Sequence, residues 1–347
     1  MPWTKILIEK QEPFFDEHPD TNVRKLTVPE SIRETLDQAL AIDKRVFVMG
    51  QGVDDPAGMF GMTLDLHKKY GNKRVFDTPL SENALTGIAT GAAITGMKPI
   101  YLHNRPDFLL LAMDQIVNHA SKLSYIFGGN LKIPLVIIAV IGRGWGSGAQ
   151  HSQSLHGLFM HVPGLRLVMP STAYDAKGLL VASILDGNPV MFIEHRWLFK
   201  HKSYVPEELY AIPFGKGLVR RKGKDVTIVG VSYMVIEALR AAEELEKDGY
   251  EVEVIDVRTL RPLDEEIILD SVKKTGHLII TDTDWKTCGA TSEIASIVAE
   301  KGVGYLKSPV KRISWPDIPV PTSYVLEEVF YPNKNDIIGA VKEILNK

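Results

Sequence analysis

Cysteine is almost absent from this chain of 347 residues, which has only Cys288. A single cysteine excludes a disulfide framework and a metal site built from several thiolates. Lone cysteines usually serve packing, and no partner motif marks Cys288 as catalytic. Long apolar runs are missing too, because the longest, IPLVIIAVIG at 133–142, is too short to cross a bilayer. The N-terminus has no signal-peptide core, so we expect a soluble, cytoplasmic protein with no membrane partner.

Excess charge of either sign is also lacking. The chain has 40 Lys and Arg against 43 Asp and Glu, which gives a formal net charge of -3. No basic face argues for nucleic acid, and the densest basic run, RRKGK at 220–224, is typical of a solvated turn.

Apolar, β-branched runs alternate with helical patterns along most of the chain. Strands are predicted at 99–103, 134–141, 165–169 and 189–194, and helices at 82–96, 108–126 and 173–185. Continuous apolar strands between helices indicate an α/β fold with parallel sheets covered on both faces. The alternation lapses at 200–224 and then resumes, so we predict two doubly wound domains, at 25–200 and 220–347.

The segment DTPLSENAL, residues 77–85, contains the first candidate functional group. Ser81 has the chemistry of an N-cap, and a carboxylate in the first turn, Glu82, complements the helix dipole. Glu82 is therefore either a helix-starting device or a catalytic acid. The helix that follows is rich in small residues and places Gly87 and Gly91 four apart, which predicts close packing within the chain or at a subunit interface.

The glycine-rich loop GRGWGSG at 142–148 follows a predicted strand but fails the dinucleotide spacing, because Ser147 stands where a third glycine is needed. Three histidines come next, His151, His156 and His161, and their spacing does not form a recognised metal motif. His151 lies just past the loop among polar residues. It is either a proton-handling residue in a cleft or a structural histidine.

Several segments together resemble the β subunits of the E1 components of 2-oxo acid dehydrogenases, such as the pyruvate, branched-chain and acetoin enzymes. They are DTPLSE with its small-residue helix, DFLLLAMDQIVNHASKLSYIFGG, AQHSQ, PSTAYDAKGLL and DIPVPTSYVLEE. The resemblance runs from about residue 25 to the end, in consistent order. It implies a thiamin pyrimidine-binding domain followed by a transketolase C-terminal-type domain.

The same resemblance implies thiamin diphosphate as cofactor and assigns roles to three residues. Glu82 matches the glutamate that exchanges a proton at N1′ of the aminopyrimidine, so the catalytic interpretation of this residue is favoured. Phe108 matches the aromatic residue that packs on that ring. His151 matches the histidine that lines the substrate side and assists proton or acyl transfer.

Metal and partner expectations follow from the resemblance as well. Five residues fall where the family's β subunits hold a structural K⁺: Leu135, Ser183, Ile184, Asp186 and Asn188. A helix end closed by a D-G-N turn would leave the same residues there. The G-D-G motif that holds Mg²⁺ and the diphosphate does not occur in the sequence. An E1 α subunit is therefore expected to carry that half of the site in an α2β2 heterotetramer, with a lipoyl-bearing E2 as a further partner.

Two departures from the family concern the substrate. An arginine is usual near the end of the strand before the glycine loop, whereas this chain has Ile138 there and Arg143 later. His103, Asn104 and Arg105 replace a commonly apolar or acidic stretch, which points to a polar substrate or acceptor. A split transketolase and a catalytically silent assembly subunit remain as alternatives.

Overall fold

The computed structural model describes residue 3 and residues 6–8, 23–144 and 146–345. The chain forms two compact units, one from Met1–Ile141 with Phe159–Phe214 and the other from Gly142–Leu158 with Gly215–Lys347. The glycine loop and His151 thus belong to the second unit. The sequence pattern does not reveal this, because the segment lies inside the first predicted domain, 25–200.

The first unit is built around a parallel sheet. The strands of this unit are β1 (Leu7–Ile8), β2 (Lys25–Thr27), β3 (Val46–Gly50), β4 (Val75–Asp77), β5 (Lys98–His103), β6 (Val136–Ile141), β7 (Arg166–Val168), β8 (Val190–His195), β9 (Lys202–Tyr204) and β10 (Tyr210–Ala211). Strands β1 and β10 pair with each other outside this sheet, and so do β2 and β9. The sheet order is β4-β3-β5-β6-β8-β7, with each of these neighbours parallel. Strands β3, β6 and β8 are buried along their whole length, as the continuous apolar runs predict.

Helices follow these strands in the alternation that the sequence predicts. They are α1 (Val28–Ile42), α2 (Leu66–Tyr70), α3 (Glu82–Ile94), α4 (Pro106–Leu109), α5 (Ser121–Ile126) and α7 (Ala173–Leu185), whereas α6 (His156–Met160) begins in the segment Gly142–Leu158 of the second unit. Helix α1 begins with a capping box, in which Thr27 and Glu30 bond reciprocally. Ser81 stands at the N-cap of α3, but its side chain makes no capping hydrogen bond.

The helix predicted over 108–126 is not continuous. Helix α4 is followed by a 3₁₀ turn at Leu110–Ala112, a π-helix at Asp114–Ala120 and then α5. Periodicity in sequence cannot distinguish these closely related windings. The π-helix packs against α3: a Cβ on Gly87 would lie 3.3 Å from Oε1 of Gln115, so packing within the chain explains this glycine. Gly91 has no neighbour within 4 Å of its Cβ position.

The second unit contains a smaller mixed sheet. The strands of this unit are β11 (Leu218–Arg221), β12 (Val226–Gly230), β13 (Val252–Asp256), β14 (Thr259–Arg261), β15 (Leu278–Trp285) and β16 (Lys311–Trp315), and all but β14 belong to this sheet. Its helices are α8 (Met234–Lys247), α9 (Glu265–Thr275), α10 (Ala290–Gly302), α11 (Tyr324–Phe330) and α12 (Lys334–Leu345). The sheet order is β11-β13-β12-β15-β16, and only the edge strand β11 runs antiparallel within it.

The structure bears on two expectations that rest on composition. Cys288 is exposed and has a positive φ of 57°, so the interpretation of this residue as a packing cysteine is wrong. Across the described residues, no helix combines the length and apolar content needed to span a bilayer.

Candidate functional site

Glu82 is the first residue of α3, and it is buried, with only 8% of its surface exposed. A helix-starting carboxylate stabilises the dipole equally well when it faces water, and burial of a carboxylate without donors costs free energy. Within the described part of the chain, no hydrogen bond or ion pair to Glu82 is present. Helix initiation alone therefore does not explain why this carboxylate is buried.

Other uncompensated polar groups lie around Glu82. Thr78 and Thr86, four residues before and after it, have buried hydroxyls without partners among the described residues, and the same holds for the hydroxyl of Tyr101. Burial, and then the negative charge of Glu82, raise the pKa of Tyr101. Buried polar atoms are normally hydrogen-bonded, so a cluster of orphaned ones indicates a site for a polar ligand.

Strand β5 ends at His103, whose ring lies 4.1 Å from that of Tyr101, centroid to centroid. Burial lowers the pKa of His103 to about 3, so its imidazole is neutral at physiological pH, and its Nε2 has no partner in the described residues. Arg105 is buried and Asn104 is exposed. His103 therefore offers hydrogen bonding but not the positive charge that a cationic patch would need.

Phe108 lies in the short helix α4 and is half-buried. Helix α4 follows β5 after two residues, and α3 begins with Glu82. Contacts join α3 to β5 and to α4, which brings the elements carrying Glu82 and Phe108 together within the first unit. The first unit therefore brings together a buried acid, an aromatic side chain and unpaired polar atoms.

The proposed K⁺ ligands meet at the C-terminal end of α7. Ser183 and Ile184 lie in its last turn, Asp186 is its C-cap residue, and Leu135 is buried just before β6. Oδ1 of Asp186 accepts hydrogen bonds from the backbone N–H and the side-chain amide of Asn188, both at 2.7 Å, which is the predicted closing turn. These two bonds are those of an ordinary helix cap.

A side chain of the protein already reaches this helix end. Nζ of Lys98 donates a hydrogen bond of 2.9 Å to the carbonyl oxygen of Ile184. Burial lowers the pKa of Lys98, although the charge of Asp43 opposes this. An ammonium at the negative end of a helix is favourable, and it contacts one of the oxygens that a K⁺ ion would need.

His151 is exposed and follows the glycine loop, in which Gly142, Gly146 and Gly148 all have positive φ. The loop is held within the second unit. Nη1 of Arg143 lies 2.9 Å from the buried carboxylate of Glu327, and Cβ atoms on Gly146 or Gly148 would meet Thr322. The motifs around AQHSQ and PTSYVLEE are thus joined in space, and Arg143 has a structural partner.

A buried cluster that the sequence analysis did not identify lies next to this loop. His156, at the start of α6, has its Nε2 2.8 Å from Oδ2 of Asp282 and 3.4 Å from Oδ2 of Asp284. Burial alone would lower the pKa of His156, but the charges of the two aspartates raise it to about 9. Burial raises the pKa of Asp284 to about 6, while the charge of His156 opposes this rise. The alternation in TDTD, residues 281–284, is the signal that was available, because it places both aspartates on one face of β15.

A second unexpected group is Glu194, inside the apolar strand β8. Both of its carboxyl oxygens are buried without partners in the described residues, and burial raises its pKa to about 8. Glu194 pairs in register with Val140 of β6, and Ile138 lies on the same face of β6. Ile138 stands where the resemblance leads us to expect an arginine, so no cation is supplied from that position.

Comparison with known families matches both halves of the chain. Residues 24–201 match the model of the transketolase pyrimidine-binding domain, and residues 215–337 match that of the transketolase C-terminal domain. The chain is 42% identical to the β subunit of acetoin:2,6-dichlorophenolindophenol oxidoreductase from Cupriavidus necator, covering 93% of this chain and 98% of the relative. The chain belongs to the family of E1 β subunits of 2-oxo acid dehydrogenases.

Other members of this family give the same result with different substrates in their names. The pyruvate dehydrogenase E1 β subunit of Rickettsia felis is 41% identical, over 92% of this chain and 98% of the relative. The 2-oxoisovalerate dehydrogenase β subunit of Bacillus subtilis is 39% identical, over 91% and 97%. These similarities do not select one substrate.

Among solved structures, a split-gene transketolase in an inactive β4 tetramer superposes with a TM-score of 0.74, covering 92% of this chain and 98% of the other, at 24% identity. This similarity shows the fold alone. The predictions of an E1 β family member and of an α/β fold with a pyrimidine-binding and a C-terminal domain are confirmed.

Proposed function

We propose that this chain is the β subunit of a thiamin diphosphate-dependent E1 enzyme that decarboxylates a 2-oxo acid and transfers the acyl or aldehyde unit to an acceptor. The observation that carries the proposal is Glu82, a buried carboxylate at a helix start with no donor among the described residues. A ring nitrogen of the aminopyrimidine is a suitable partner for it. The unpaired hydroxyls of Thr78, Thr86 and Tyr101 support the same assignment.

Thiamin diphosphate, when bound, supplies the carbanion chemistry that 2-oxo acid decarboxylation needs. Glu82 would hold and exchange a proton at N1′ of the aminopyrimidine, and Phe108 would pack on its ring. His151, which follows the glycine loop, would donate and accept protons on the substrate side. Because Glu82 and Phe108 are held by helices α3 and α4, this part of the site needs little reorganisation during the reaction.

The remaining half of the active site comes from a second chain. An E1 α subunit carries Mg²⁺ and the diphosphate in an α2β2 assembly, and a lipoyl-bearing E2 is the candidate acceptor. The open Cβ position of Gly91 on α3 and the exposed side chain of Ile88, 61% accessible, are suited to contact with another subunit.

Production of the chain together with its E1 α subunit tests this function. The purified complex is expected to decarboxylate at least one member of a 2-oxo acid panel, and to do so only when thiamin diphosphate and Mg²⁺ are present. Activity confined to ketose phosphates would favour the split transketolase. A complex that is inactive on both classes would favour a silent assembly subunit.

The polar stretch His103–Arg105 predicts a preference among substrates. Asn104 is exposed and can reach a ligand, so Asn104→Leu should lower kcat/KM for substrates with an anionic or hydroxylated tail. A lost charge-assisted hydrogen bond of about 1.5–3 kcal/mol corresponds to a loss of about tenfold or more. The same variant should raise kcat/KM for pyruvate.

Steady-state kinetics on polar and aliphatic 2-oxo acids distinguishes selectivity from damage. Equal losses on both substrate classes would place Asn104 at a subunit interface instead. Arg105→Met serves as the comparison, because Arg105 is buried and its loss should affect both classes through the fold.

The Lys98–Ile184 contact predicts how the enzyme responds to K⁺. We propose that the Lys98 ammonium supplies the positive charge at the end of α7, so K⁺ adds little to the wild-type protein. Exchange of Na⁺ for K⁺ should therefore leave the unfolding temperature nearly unchanged. Lys98→Met should lower this temperature, and K⁺ should restore part of the loss, because a vacant carbonyl cluster accepts a monovalent cation. A marked K⁺ stabilisation of the wild type would show instead that the five proposed ligands bind K⁺ beside Lys98.

A further inference from the structure

The cluster of His156, Asp282 and Asp284 has the donor set of a transition-metal site. One imidazole nitrogen and one oxygen from each carboxylate lie within 4.8 Å of one another. Two ligands held at about 2.0–2.2 Å from a Zn²⁺-sized ion lie about 2.8–3.6 Å apart, depending on coordination number. The separations of 2.8 and 3.4 Å from Nε2 to the two aspartates fall within that range.

Charge balance favours a divalent metal ion over a proton at this position. The three side chains are buried, with exposures of 0% for His156, 0% for Asp282 and 4% for Asp284. In the described part of the chain, neither aspartate pairs with a lysine or an arginine. A protonated His156 between two carboxylates leaves one net negative charge in the interior, whereas a divalent cation with a neutral imidazole gives zero.

The hydrogen bonds of the two aspartates differ in a way that points to an open ligand position. Oδ1 of Asp284 accepts the backbone N–H of Trp285 at 2.7 Å, and the backbone of Gly157 also donates to this carboxylate. Oδ1 of Asp282, in contrast, is buried and has no donor among the described residues. A buried acceptor without a partner is costly, and a bound cation would satisfy it.

We propose that His156, Asp282 and Asp284 bind a divalent transition-metal ion of the zinc class. This ion links the segment that carries His151 to strand β15. An imidazole nitrogen with two carboxylate oxygens suits Zn²⁺ or Mn²⁺ better than Mg²⁺ or Ca²⁺, which prefer all-oxygen sites. The ion has a structural role, because its ligand His156 lies five residues after His151 in the chain and the site is enclosed by protein. This site is separate from the K⁺ residues and from the Mg²⁺ expected in the α subunit.

Metal analysis of the assembled enzyme tests the proposal. The complex is stripped with EDTA, dialysed against Zn²⁺ and then washed, and zinc is counted by mass spectrometry. One tightly held zinc per β chain is expected. Asp282→Asn and Asp284→Asn, which keep the side-chain shape, should each weaken zinc binding at least tenfold. His161→Gln, which removes an exposed histidine of the same region, should leave it unchanged.

Two further measurements ensure that either result is decisive. Circular dichroism and the unfolding temperature show whether the two asparagine variants remain folded. Mn²⁺ electron paramagnetic resonance reports the site in the folded wild type without any substitution. Absence of retained zinc and of a bound Mn²⁺ signal in the wild type would overturn the proposal and identify a buried ion pair. Equal zinc retention in the wild type and in both asparagine variants would overturn it as well.

Discussion

Replacement of Glu82 by glutamine is expected to leave the fold intact and to reduce turnover of the assembled enzyme by about 10²–10³-fold. A loss of this size corresponds to about 2.7–4 kcal/mol of barrier lowering, which is typical of removing one catalytic polar contact. An amide has the shape of the carboxyl group but cannot exchange a proton with N1′. Single-turnover decarboxylation with saturating thiamin diphosphate measures the effect.

Glu265 provides the matched control, because it is also the first residue of a helix, α9, but its side chain is exposed and paired with Lys301. Glu265→Gln should change stability by no more than about 1 kcal/mol and leave turnover unaffected. If Glu82→Gln behaved in the same way, Glu82 would be only a helix-starting residue, and the catalytic assignment would fail.

Replacement of Glu194 by glutamine is expected to stabilise the protein in alkaline solution, by an amount of the order of a few kcal/mol. Burial holds the pKa of Glu194 at about 8 in the folded chain, well above the ordinary value of 4.5. Between these two values the unfolded chain releases a proton that the folded chain retains, so folding loses stability as pH rises. Glutamine has no proton to release.

The sign of this effect is fixed by the direction of the shift. Near pH 4.5 the two proteins should have similar stability, and the advantage of Glu194→Gln should grow up to about pH 8 and then level off. Thermal unfolding of both proteins across this range measures it, with Glu208→Gln, at an exposed position of the same unit, as the control. An advantage independent of pH would show that Glu194 is not held in its protonated form.

Much of the fold could be predicted because burial imposes its own pattern on the sequence. The apolar runs of β6 and β8 are local signals, and each forms the predicted strand. The glycines of the loop at 142–148 likewise indicate a bent backbone. The π-helix at Asp114–Ala120 was missed because its residues have the same apolar spacing as an α-helix.

The candidate site was predictable only in part. Motifs predict roles for Glu82 and His151, but the chemistry at His156 depends on Asp282, which is 126 positions away in the chain. Long-range pairing of this kind leaves no periodic trace in a single sequence. The state of Glu194 was hidden for a related reason, since it depends on the lack of a partner for its carboxyl oxygens among the described residues that fold around it.

We propose that this chain holds the aminopyrimidine half of a thiamin site and that an E1 α subunit supplies the diphosphate half. Calorimetric titration of thiamin diphosphate and Mg²⁺ into the chain alone, and into the chain assembled with its E1 α subunit, tests this division of the site. We predict weak or undetectable binding by the chain alone, and binding by the assembly that Glu82→Gln weakens. Micromolar binding by the chain alone would contradict the proposed division of the site, because the site would then be complete without a partner.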